Sequence, residues 1–173
     1  MIVTQRHLSL GKKARGLNGE PVFFTRPVDR IVIHWIGPFP KQAVSIPWNW
    51  WENGSDNNGV QASAHFILKD NDVIQALPLN EVGWHSGDGR NRHSIGIEVI
   101  PMNEQGAFSR TTIDTLRLLV KYIRKEKGVY LPLERHYDGT QKKNCPNWYT
   151  PHTDGGDERW IALRNYLDDV GRE

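Results

Sequence analysis

The sequence predicts an α/β domain, a mixed central β-sheet flanked by helices. Three observations carry that reading. Apolar runs of strand length recur at 30–36, 63–69, 73–77 and 94–100, a stripe of helical period fills 111–127, and a second amphipathic stretch occupies 157–170. Strands come first, interrupted by one or two helices, and a helix closes the series, so helices are expected to cover the sheet. The 173 residues are one domain's length, enough for a single hydrophobic core.

Residues 1–27 are mixed and glycine-containing, without a clear period, and are expected to wrap the domain edge. Arg30–Ile36 (RIVIHWI) is continuous apolar sequence broken only by His34, as in a buried central strand. Pro38, Pro40 and the stretch to Gly59 form a long connection, in which Trp48–Gly54 suggests a short helix ended by Gly54. Ser63–Lys69 and Val73–Leu77 read as two strands joined by a turn at Asp70–Asn71–Asp72. Glu81–Arg92 (EVGWHSGDGRNR) is a glycine-rich loop, and Ser94–Ile100 (SIGIEVI) a further strand.

From Thr111 to Lys127, Ile113, Leu116, Leu119, Val120 and Ile123 form one apolar stripe. Thr111 with Asp114 suggests the N-terminal cap, and Gly128 the C-terminal stop. Leu131–His136 reads as a strand ending in His136, followed by a turn at Asp138–Gly139. Asp157–Val170 reads as the last helix, with Trp160, Leu163, Leu167 and Val170 inward.

Composition narrows the function classes. The net charge of +2 is spread over interspersed basic and acidic residues, and no aromatic–basic motif of an RNA-binding sheet is present, so nucleic acid is not an expected partner. No window approaches 18 apolar residues, which argues against membrane insertion. The N-terminus lacks the apolar core and small-residue cleavage site of a signal peptide. A single cysteine excludes an intrachain disulfide and a cysteine-rich zinc site.

The chemistry concentrates on a few residues. His34 interrupts its apolar strand, and His136 and Cys145 lie nine positions apart in LERHYDGTQKKNCP. Two histidines and a thiolate are ligand types zinc prefers, and three protein ligands leave a fourth position open, as in catalytic sites. Alternation in SIGIEVI places Ile95, Ile97 and Val99 on one face and Ser94, Gly96, Glu98 and Ile100 on the other. Gly96 leaves room for close approach, and Glu98 beside a metal-activated water suits a general base. Lys143, two residues before Cys145, can lean over the same site. His85 is a candidate substrate contact and His65 a supporting or core residue, whereas His7, His93 and His152 are read as surface residues. A rival reading makes Cys145 a nucleophile paired with His136, its thiol activated at a helix start by Pro146.

RIVIHWIG, SAHFILKDNDVIQALPLNEVGWHSGDG, SIGIEVI and ERHYDGTQKKNCP, in this order, resemble the type 2 N-acetylmuramoyl-L-alanine amidases, above all the catalytic domains of Bacillus-type phage and prophage endolysins. The resemblance covers about residues 28–150. It implies a groove in the sheet-and-helix domain holding one Zn2+ per chain, with His34, His136 and Cys145 as ligands, Glu98 as catalytic glutamate and Lys143 as oxyanion stabiliser. Some relatives have a tyrosine where this chain has Ala64, which throws more of the work on Glu98. Trp84 and His85 are expected to line the groove and contact substrate.

The activity so implied is hydrolysis of the amide between N-acetylmuramic acid and L-alanine in bacterial peptidoglycan. The expected organisation is one amidase catalytic domain over 1–173, a monomer without a separate wall-binding domain. The expected setting is synthesis in the cytoplasm and action on the wall after release or lysis. Two alternatives stay open at this level, a non-catalytic peptidoglycan-binding module and the Cys145 hydrolase.

Overall fold

The computed structural model describes residues 2–37, 42–54 and 61–169. It contains strands β1 (Ile2–Gln5), β2 (Arg30–Trp35), β3 (Phe66–Lys69), β4 (Asp72–Gln75), β5 (Ser94–Val99) and β6 (Leu133–Arg135). The helices are α1 (Ser45–Asn49), α2 (Arg110–Lys127), α3 (His136–Thr140) and α4 (Gly156–Asp168). A π-helical turn, Trp50–Gly54, continues α1, and single 3-10 turns cover Gly89–Arg92 and Asn147–Tyr149.

The six strands form one mixed sheet in the order β1-β4-β3-β5-β2-β6. The last four of that order run parallel, while β4 is antiparallel to β3 and β1 is parallel to β4. The 63–69 and 73–77 runs thus form the expected hairpin, turning at Asp70 with φ 49°. The Ile2–Gln5 strand has no counterpart in the sequence reading; it is short, largely exposed and attached at the sheet edge.

Alternation decides which face each strand buries. Ile31, Ile33, Phe66, Leu68, Ile95, Ile97 and Val99 face α2 and α4, packing on Leu116, Leu119, Val120, Ile123, Trp160, Leu163 and Leu167. The opposite face carries Ile67, Ile74 and Ile100, covered by Leu8, Ala14, Trp48 and Trp51. Each fully buried side chain of Leu or Ile size contributes about 1.5–3 kcal/mol. Val170, residues 38–41 and residues 55–60 lie outside the described residues.

Two element boundaries differ from the sequence reading. Ser109, not Thr111, caps α2, its hydroxyl accepting from the Thr112 N–H at 3.1 Å. Asp114 instead binds Arg110 at 3.1 Å and accepts from the Tyr166 hydroxyl at 2.6 Å. The helix ends at Gly128 as expected, with φ 65° in the left-handed region. His136 does not end a strand. It opens α3, which takes in Asp138 and Gly139, because Asp138 reaches back to accept from the Arg135 N–H at 2.8 Å.

Candidate metal centre and adjoining groove

His34 lies near the carboxyl end of β2, Glu98 near that of β5, and His136 directly follows β6. Carboxyl ends of parallel strands are where open α/β sheets build sites. His34 and Glu98 pair across β2 and β5, so both project from the face opposite α2. His136 is held from behind by two arginines. The Arg135 side chain spans Asp138 at 2.7 Å, Asp157 at 2.6 Å and the Tyr149 carbonyl at 2.6 Å. Arg90 donates to the His136 carbonyl at 2.8 Å and to Asp88 at 2.9 Å.

Cys145 is delivered by the loop after α3. Its carbonyl accepts from the Tyr137 N–H at 2.9 Å, and its Sγ accepts from the Trp35 N–H at 3.4 Å. The structure therefore brings together three residues up to 111 positions apart. His34 Nδ1 lies 3.1 Å from His136 Nδ1 and 3.9 Å from Cys145 Sγ, and the three ligand atoms lie within 4.8 Å of one another.

These three side chains can hold a metal ion. Around a tetrahedral zinc with Zn–N of about 2.0–2.1 Å and Zn–S of about 2.3 Å, ligand atoms stand roughly 3.3–3.7 Å apart; the two His34 distances bracket that range, and the widest separation within the 4.8 Å limit would have to close. Burial pushes His34 well below the ordinary imidazole value, reinforced by His85, His136 and Arg90; burial also lowers His136. Both therefore offer the neutral form that coordination needs.

Burial raises the Cys145 thiol, with the Glu98 charge adding to the rise. Pro146 follows through a cis peptide bond and leads into a 3-10 turn, not an α-helix start. Burial works against a free thiolate at Cys145, and a bound cation would draw off its proton.

Glu98 is half-buried, and burial pushes its carboxyl up to about 8. It helps line a groove of about 620 Å³ walled also by Trp35, Ile36, Ile46, Trp50, Trp51 and Trp84. Lys143 is exposed on the loop before Cys145, with its carbonyl accepting from the Cys145 N–H at 2.8 Å. Its charge opposes protonation of His136 and favours the Cys145 thiolate.

Trp84 lines the groove, while its indole N–H donates to the Gly16 carbonyl at 3.0 Å. His85 also borders the groove but is buried, with Nδ1 2.9 Å from His34 Nε2. His65 is fully buried between the Glu81 carbonyl, 2.9 Å from Nε2, and the Gly96 N–H, 3.0 Å from Nδ1. His93 is not a surface residue: it is 8% exposed and bonds Asp29 at 2.9 Å. Sequence reasoning did not single out Trp35, Trp50 and Trp51 as groove residues. Their only signal was the clustering of tryptophans around 48–51.

Known proteins share this arrangement of elements. The chain is 38% identical over 93 residues to the N-acetylmuramoyl-L-alanine amidase XlyA of Bacillus subtilis (strain 168), covering 52% of this chain and 31% of that protein. It is 31% identical over 116 residues to the amidase CwlA of the same organism, covering 65% and 41%. The chain thus matches well under half the length of these curated relatives. The solved catalytic domain of XlyA superposes with a TM-score of 0.75 at 25% identity, over 96% of this chain and 99% of that one. PlyL shares the fold at a TM-score of 0.75 and 18% identity, over 99% of both chains. The Amidase_2 family, N-acetylmuramoyl-L-alanine amidase, matches residues 24–148, which span β2 to β6, all three candidate ligands and Glu98, and the chain belongs to that family.

Proposed function

We propose that this chain is a zinc-dependent amidase that hydrolyses the bond between the lactyl group of N-acetylmuramic acid and L-alanine in peptidoglycan. The observation that carries the reading is the convergence of His34, His136 and Cys145 behind Glu98, which itself lines an aromatic groove. Membership in the amidase family and the names of the curated relatives support the choice of bond.

Zinc held by the three ligands would supply Lewis-acid activation of water and of the scissile carbonyl. Glu98 takes the proton of the attacking water as the new C–O bond forms. The same carboxyl then returns a proton to the leaving alanine nitrogen as the C–N bond breaks. Burial raises this carboxyl, and the charge of a bound metal would lower it again, so the group can accept the proton and then deliver it. Lys143 offers an ammonium to the developing oxyanion, where one well-placed donor is worth about 10²–10³ in rate. The indole faces of Trp35, Trp50 and Trp84 give sugar rings and the lactyl methyl an apolar bed.

Digestion of purified walls tests the bond. New N-terminal alanine, no new reducing sugar and stem peptides of full mass are expected. New reducing ends would make the chain a glycosidase, shortened stems an endopeptidase, and binding without any release a non-catalytic module.

A further inference from the structure

Behind the two histidine ligands lie consecutive residues of the glycine-rich loop. His34 Nε2 is 2.9 Å from His85 Nδ1, and His136 Nε2 is 2.8 Å from the Ser86 carbonyl oxygen. The chain of contacts continues past His85: its Nε2 lies 3.3 Å from Ser94 Oγ, which donates to the Arg90 carbonyl at 2.6 Å.

The directions of these bonds follow from proton counting. The one hydroxyl proton of Ser94 is committed to a carbonyl, so toward His85 the serine can only accept. His85 therefore carries its proton on Nε2 and presents a lone pair at Nδ1. His34 must then donate from Nε2, leaving its Nδ1 lone pair facing His136 and Cys145. A carbonyl can only accept, so Ser86 fixes His136 the same way, with Nδ1 free. Both ligand nitrogens end up deprotonated and aimed at one point.

The loop is held in place for this. Asn91 Oδ1 accepts from the His85 N–H at 3.1 Å and the Ser86 N–H at 2.8 Å, and the Ser86 hydroxyl has Asp88 Oδ1 at 2.8 Å and Asn91 Oδ1 at 2.9 Å as acceptors for its one proton. Gly96 on β5 makes room for the ring, since a Cβ there would stand 2.5 Å from His85 Cγ and Cδ2.

We infer that His85 and Ser86 set the tautomers of both histidine ligands, with Ser94 giving the His34 branch its direction. His85 is thus a positioning residue for the metal centre. The inference rests on the metal site proposed above, and outer partners of this kind are typically worth 10–100-fold in metal affinity.

The test uses the full chain. In metal-free protein, two-bond proton–nitrogen NMR of the imidazoles should show His34, His85 and His136 all protonated on Nε2. Zinc affinity, read by chelator competition, should fall about 10–100-fold in His85→Phe and stay within about threefold in His85→Asn, whose amide oxygen replaces the acceptor. His85 protonated on Nδ1, wild-type affinity in His85→Phe, or equal losses in both variants would overturn the inference. If His85→Phe does not fold, Ser94→Ala decides. That variant keeps the ring but removes the lock, so weaker zinc binding with a mixed His85 tautomer supports the role, and no change rejects it. A wild-type chain that binds no zinc sinks the metal reading itself, whereas zinc binding with the other His85 tautomer sinks only the positioning role.

Discussion

His34 and Glu98 stand directly opposite each other on the adjacent parallel strands β2 and β5. Paired residues of parallel strands project to the same face, so a candidate metal ligand and a carboxyl are fixed side by side by backbone hydrogen bonds. Neither depends on a loop for its placement, and both strands are anchored by the core beneath them. A site mounted on strands holds its geometry more tightly than one mounted on loops.

That fixity makes Glu98→Gln an informative variant. Glutamine keeps the shape and cannot take a proton. Zinc content and fold should persist while turnover falls about 10²–10⁴-fold, the usual worth of general-base assistance. Near-normal turnover with zinc in place would remove Glu98 from the chemistry.

Cys145 separates metal from nucleophile. Its thiol is raised by burial, so iodoacetamide should react slowly with the metal-free protein at pH 7. Chelation should abolish hydrolysis and added zinc restore it, with His34→Ala, His136→Ala and Cys145→Ala each losing most bound metal. Full hydrolysis by metal-free protein, blocked by alkylation, would return Cys145 to the nucleophile's role.

Gly96 shows how the sequence announced a contact without naming its partner. A glycine beside Glu98 marked a close approach, and the group that approaches is the His85 ring. The partner lies eleven residues away across a loop without periodicity, and polar contacts of that kind leave no pattern. Central strands and long helices were legible because burial makes β2 a continuous apolar run and imposes a period on β5, α2 and α4. The edge strand β1 buries little and so carried no period. His136 was misplaced at a strand end because its helical turn is set by the Arg135–Asp138 bond, a local contact that composition does not reveal. His93 looked like a surface histidine because its partner, Asp29, lies 64 residues away.

Gly96→Ala follows from the same contact. A methyl 2.5 Å from the imidazole must push the ring off Ser94 and His34. Zinc affinity should drop about tenfold or more, as for loss of an outer partner. Competition with a chelator measures it, and unchanged affinity would mean that the ring shifts without consequence for His34.

Lys143 should act late in the reaction. It is exposed and free to reach an oxyanion, but its charge counts most when that oxyanion forms. Lys143→Met should therefore reduce kcat about 10²-fold with KM little changed. Weaker wall binding at unchanged kcat would make it a substrate clamp instead.

The last prediction concerns pH and the metal-free fold. Burial lowers His34, His65, His85 and His136 below the ordinary 6.5, His65 to about 4. Below pH 6.5 the unfolded chain takes up protons that the folded chain refuses, so stability is lost as pH falls, by at most about 1.4 kcal/mol per unit for each histidine. Glu98 acts in the opposite sense. Its folded carboxyl keeps a proton up to about 8, while the unfolded one ionises from 4.5, so stability is lost as pH rises through that window. Between 4.5 and 6.5 the four histidines outweigh the one carboxyl, and Glu98 prevails only above about pH 7, where less than a quarter of each unfolded imidazole is protonated. Stability of metal-free protein should therefore peak near pH 7 and fall by at most about 1 kcal/mol toward pH 8. Urea unfolding across pH 5–8, below the range in which the raised Cys145 thiol adds its own loss, measures the profile. Glu98→Gln should flatten the alkaline limb and leave the acid limb unchanged; an alkaline limb that survives the substitution would show that Glu98 is ionised in the native protein at neutral pH.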